Sequence, residues 1–93
     1  VPHNVPADAA ARRTAARAAG ARGQAARRAG DQQTRSAEMM ARAYQLGEGS
    51  LNDLLAARRM ANAAQLTARL QQLDALYLRY RLMLDAHRLW DLD

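Results

Sequence analysis

The stretch Ala43-Tyr44-Gln45-Leu46-Gly47-Glu48-Gly49-Ser50-Leu51-Asn52-Asp53-Leu54-Leu55 constrains this chain most, because only here does one long helical pattern stop and another start. Gly47 stands just past the last apolar residue of the first pattern, where a left-handed residue closes the final carbonyls of a helix. Gly49 supplies a second permissive joint. Ser50 is a good N-cap, and Asp53, three residues on, resembles the far end of a shortened capping box, while its charge suits the positive helix end. A connection of three or four residues joins antiparallel neighbours, so the second arm runs back along the first.

The composition agrees with a hairpin of two helices. Ala and Arg dominate, Phe and Cys are absent, and β-branched and aromatic residues are scarce. Ala has the highest helix propensity and Arg is close behind. The fold class expected is all-α: a long antiparallel, coiled-coil-like helical hairpin that associates into a four-helix or larger bundle. Its parts are an extended end at residues 1–6, arm one at about 7–46, the turn at 47–50 and arm two at about 51–91. Val1 to Pro6 holds two prolines, which favour extended backbone and place the helix start near Ala7.

Arm one is a run of Ala, Arg and Gln interrupted by Gly20, Gly23 and Gly30, each costing about 1 kcal/mol relative to Ala inside a helix. Its large apolar residues come late: Met39, Ala43 and Leu46 share a face, with Met40 and Tyr44 beside them. Arm two carries a heptad stripe, Leu66, Leu70, Leu73, Tyr77, Tyr80 and Leu84, which reads as a coiled-coil packing seam. A second stripe, Leu54, Ala57, Ala61, Ala64 and Ala68, is nearly all alanine and lets another helix come close. Folding at the turn pairs residues whose numbers sum to about 97, which sets Tyr77 and Tyr80 opposite Gly20 and Arg17. A hairpin with so little core calls for further helices.

The net charge of +5 lies entirely in arm one, where eight arginines face only Asp8, Asp31 and Glu38. Basic helices can track phosphates. Here the arginines are spread around the helix and broken by glycines, without stacking aromatics, so a basic module binding nucleic acid is the rival reading, as is a generic dimerising coiled coil. Enzymatic chemistry is not expected: there is no cysteine, phosphate-cradling glycine loop, nucleophile beside a histidine or carboxylate pair in a likely cleft. No cofactor or metal is expected either. His87 shares a face with Asp91 and lies near Asp85, but transition-metal sites need three or four converging ligands. The chain opens at Val1 and has no stretch approaching a membrane span, so it reads as an internal piece of a longer protein.

Ala37, Ala43, Tyr44, Gly47, Ser50, Leu51, Asp53, Leu54, Leu55 and Ala57 form a pattern that resembles the periplasmic hairpin of outer membrane efflux proteins of the TolC type. The resemblance extends through arm two, and Tyr80 to Trp90 is most similar to the heavy-metal (cobalt-zinc-cadmium) branch. It covers residues 37–92; residues 1–36 match only in being Ala-rich helix. The resemblance implies one helical hairpin in the periplasmic tube of a trimeric exit duct, in a bacterial outer-membrane protein serving a tripartite efflux pump. It implies a tip, Leu46, Gly47, Glu48, Gly49, Ser50 and Leu51, that docks a periplasmic adaptor protein, and a constriction at Tyr44 and Asp53. The chain departs from the family in carrying Gly49 where an Arg can follow the turn glycine and Ala56 where a second acid can follow Asp53, which removes charge from the closed end.

Overall fold

In the computed structural model, which describes the backbone of residues 5–91 and the side chains of residues 7–88, two helices account for nearly everything. Helix α1 spans Val5–Gln45 and helix α2 spans Leu51–Asp91. They pack against one another as an antiparallel hairpin 70 × 17 × 14 Å in extent, and no strand occurs among the described residues. Helix α1 begins two residues earlier than Ala7 and takes in Val5 and Pro6. Proline is tolerated in a first helical turn because the amide it lacks has no partner there. The rest of the expected extended end, residues 1–4, lies outside the described residues.

The register is set by the turn and held by polar pairs between the arms. Arg12 is bonded to Asp85, Arg22 lies 3.7 Å from Asp74, and the Gln65 amide donates to the Thr34 hydroxyl at 3.0 Å. These three pairs step along the arms as the expected sum of about 97 requires. The two ion pairs are partly or largely solvated and so contribute little energy, about 0–1 kcal/mol each. Apolar contact decides how close the helices come.

That contact is made by small residues along α1 and, on α2, by a line that is mostly alanine in its first half and mixed in its second. On α1 the inward line is Ala16, Ala19, Gly23, Ala26, Gly30 and Ala37, spaced alternately by three and four with one gap of seven. On α2 it is Leu54, Ala57, Ala61, Ala64 and Ala68, continued at the same spacing by Gln71, Ala75, Leu78, Leu82 and Asp85. Ala19 is fully buried, and Ala16, Ala37, Leu54, Ala61 and Ala68 are nearly so. A side chain at Gly23 would reach within 3.5 Å of the Gln71 carbonyl oxygen, so backbone lies close to backbone at this level. Helix α1 runs unbroken through its glycines, and two of them, Gly23 and Gly30, are buried in the seam.

The bulky stripe of α2 lies elsewhere, which corrects the reading of it as the seam of the hairpin. Leu66, Leu70, Leu73, Tyr77, Tyr80 and Leu84 are all exposed, between 38 and 61%. The reason is angular: at 100° per residue this stripe is centred roughly 150° around the helix from the alanine line. Leu54, one turn past the turn itself, is buried against α1, and that fixes the rotation of α2. Tyr77 and Tyr80 therefore point away from Gly20 and Arg17, and the opposing positions are filled by Ala75 and Leu78.

Two substitutions on α1 separate seam from surface. At Gly20 an added Cβ meets nothing within 4 Å, so Gly20→Ala is expected to stabilise the hairpin by about 0.5–1 kcal/mol. Ala19→Leu, at the fully buried neighbour, forces the arms apart and is expected to cost about 1–3 kcal/mol. Urea denaturation followed by circular dichroism checks both, and opposite shifts of the midpoint are the expected result.

Candidate packing and docking interface

The tip is built by two complementary caps. At the end of α1, Gly47 has φ of 76°, a left-handed conformation that glycine adopts without steric cost. The Glu48 amide donates to the Ala43 carbonyl at 2.8 Å and the Gly47 amide to the Tyr44 carbonyl at 3.0 Å. This is the Schellman arrangement, with Gly47 just past the helix, and it satisfies carbonyls that the helix leaves open. At the start of α2, the Ser50 hydroxyl accepts from the Asp53 amide at 3.1 Å, and the Ser50 carbonyl accepts from the Leu54 amide, also at 3.1 Å. Ser50 is thus the N-cap, and Asp53 stands in the first turn, where its charge favours the helix end.

Gly49 does a different job from the flexible joint expected of it. Its backbone is not left-handed, and a Cβ placed there would lie 3.4 Å from the Ala43 Cβ and from the Tyr44 amide nitrogen. The turn thus folds closely over the last turn of α1, with room for a Cβ at van der Waals contact. A charged side chain at this position would have to leave past that contact.

The other tip residues point outward. Leu46 is 73% exposed, and Tyr44, Glu48, Leu51 and Asp53 are exposed as well. Tyr44 and Asp53 flank the turn on different arms, one within α1 and the other within α2. Met39 and Met40 continue this apolar surface up α1. The structure therefore brings the tip residues Leu46 to Leu51 together as one exposed cap, with Tyr44 and Asp53 at its shoulders.

Along α2 the outer stripe is wider than the heptad pattern alone indicates. Leu76 and Met83, one helical position beside the stripe, are exposed too and broaden it. Their signal was present in the sequence as apolar residues seven apart. Tyr77 accepts a hydrogen bond at its hydroxyl from Arg81 at 3.2 Å, so this tyrosine has a polar partner at the edge of the stripe. The outer side of α1 is different in kind. Arg28, Asp31, Arg35, Glu38 and Arg42 alternate in sign at spacings of three and four and are all exposed, a pattern that suits water.

The positions considered for a metal are engaged otherwise or lie apart. Asp85 sits on the inner line with Arg12, and the Asp91 side chain lies outside the described residues. Among the described residues no three His, Asp or Glu side chains converge in a way that could hold a metal ion.

Fold and surface together define a class: an antiparallel helical hairpin with an alanine-rich seam, one charged outer side and one bulky apolar outer side. Compared with known proteins, the chain matches no family model, no curated protein and no solved structure.

The two caps are expected to be energetically coupled. Gly47→Ala places a Cβ in left-handed backbone and is expected to cost about 1–2 kcal/mol. Ser50→Ala removes the acceptor of the Asp53 amide and is expected to cost about 1 kcal/mol. Thermal or urea unfolding of the two variants and their combination checks these values; additivity is expected to fail, because both caps serve one short turn.

Proposed function

We propose that this hairpin is a packing unit of a larger helical assembly, and specifically one hairpin of the periplasmic tube of a trimeric outer-membrane exit duct in an efflux pump. The observation that carries the reading is the bulky apolar stripe of α2 turned away from α1. A helix with apolar surface on two nearly opposite sides is suited to lie between neighbours, as each helix of a tube wall does. The resemblance of residues 37–57 to the tips of such ducts supplies the specific identity. The exposed apolar cap at Leu46 to Leu51 fits a tip that meets an adaptor protein, and toxic compounds, including heavy-metal cations, are the cargo that the resemblance suggests.

The nucleic-acid reading draws less support from the same surfaces. Two of the eight arginines of arm one, Arg12 and Arg22, are turned to Asp85 and Asp74. Arg28, Arg35 and Arg42 are interleaved with acids, which weakens any continuous basic track. No helix among the described residues is long and apolar enough to cross a membrane, and in the duct reading the membrane is crossed by strands outside this hairpin.

In this reading the closed end opens by movement of the short turn, since the long seam resists bending. Tyr44 and Asp53 flank the turn and are exposed to neighbouring hairpins, where hydrogen bonds of about 1 kcal/mol each would hold the closed form. The test is Tyr44→Phe combined with Asp53→Ala in the full-length protein reconstituted in a planar bilayer. Conductance is expected to rise while far-ultraviolet circular dichroism is unchanged. Unaltered conductance with folding preserved would reduce the two residues to ordinary turn and cap residues.

A further inference from the structure

We infer that the outer stripe of α2 is a self-complementary interface on which a second copy of this chain docks, antiparallel, through α2 alone. The inference does not rest on the duct reading and concerns the 93-residue chain by itself: in a tube the same stripe would be covered by other helices of the parent, whereas this chain alone has only its own copies to offer. The stripe with Leu76 and Met83 leaves eight large apolar side chains exposed, between 38 and 70% each. Together they present on the order of 1,000 Å² of surface, whereas a stable pair buries about 800 Å² from each partner. Monomeric proteins rarely expose a continuous apolar patch of this size.

The occupant is a second copy, because the hairpin has one large apolar long side. The outer side of α1 presents the alternating charges from Arg28 to Arg42 and offers a neighbour no matching apolar stripe. A single sticky side paired with its own copy closes as a twofold dimer, whereas rings need two different complementary surfaces. The resulting order of helices is α1, α2, α2 of the partner copy, α1 of the partner copy. At helix spacings of about 8–10 Å the two basic arms lie well over a Debye length apart, so their charges repel little at physiological salt.

Direction follows from the side chains. A parallel pair would stack Tyr77 on its own copy and Tyr80 on its own copy, two crowded layers in succession. The antiparallel pair centred on residue 75 sets Leu66 against Leu84, Leu70 against Tyr80 and Leu73 against Tyr77, each twice by symmetry. Large faces smaller in the two tyrosine layers, which packs without voids, and every member of the stripe meets another member. Near the twofold axis the only close like charges are the two copies of Asp74, and each is accompanied by Arg22 of its own hairpin at 3.7 Å.

Sedimentation equilibrium of the 93-residue chain between about 10 and 100 µM, a range in which micromolar interfaces are occupied, is the first measurement. The expected species has twice the 10.2 kDa mass of the chain. A helical monomer, or a trimer, throughout this range overturns the proposal. Leu73→Asp, which sets charge at the centre of the interface, is expected to raise the dissociation constant roughly a hundredfold.

Oxidative cross-linking then tests direction without depending on the stability of a disrupted variant. The double variant Leu66→Cys with Leu84→Cys is expected to give a covalent dimer, whereas Leu66→Cys alone, its copies about 27 Å apart along the helix, is expected to give none. Efficient cross-linking of the single variant would mean a parallel pair, and failure of the double variant to cross-link a sedimenting dimer would mean another face. Either result overturns the proposal and leaves the bilayer test of Tyr44 and Asp53 untouched.

Discussion

The hairpin depends on how closely two lines of alanine and glycine let its helices approach. Side chains of this size contribute little transfer free energy singly, but they bring backbone against backbone, and dispersion between many close atoms accumulates along the seam. Ala19, Ala61 and Ala68 are buried, and Gly23 lies near the Gln71 carbonyl. Any residue much larger than alanine along this line acts as a spacer. The arginines of α1 and the bulky stripe of α2 are found on the rims or the far sides, and larger residues, Gln71, Leu78 and Leu82, enter the inner line only in the second half of α2.

That choice of seam distributes everything else. Because α2 turns the line from Leu54 to Asp85 inward, the stripe of Leu66, Leu70, Leu73, Tyr77, Tyr80 and Leu84 is left outward. Because the opposite side of α1 carries alternating charge, the molecule is wet on one long side and apolar on the other. A chain with this cross-section is stabilised by burying α2 between layers, and its stability on its own is limited by how little the alanine seam removes from water. The duct reading and self-pairing are two ways of meeting the same physical demand.

The turn is the other fixed point. The glycine in left-handed backbone and the serine cap satisfy the helix ends within a few residues, so the connection has little slack. Shortness has a directional consequence: the rotation of α2 about its own axis is transmitted from Ser50 through Leu54, the one large side chain among the most buried residues. A turn one residue longer would present a different side of α2 to α1.

Much of this was legible in the sequence. Gly47 and Ser50 announced the turn, the Ala and Arg composition announced helices, and the loop length required an antiparallel return with partners summing to about 97. Two apolar stripes on α2 were equally visible, as were the tip residues Leu46 to Leu51. Which stripe faces the first arm was not legible from periodicity, because both obey the same three-and-four spacing and the bulkier one has the stronger hydrophobic signal. The roles of Gly49 and of Gly23 were hidden too, since a glycine in sequence does not reveal whether it serves a dihedral angle or a close neighbour. The sequence by itself determined two helices, their direction and their level. Only the tertiary structure decided that the alanine line is the seam and the leucine stripe the outside, because that choice depends on the rotation imposed by the turn and on the small residues waiting across from it on α1.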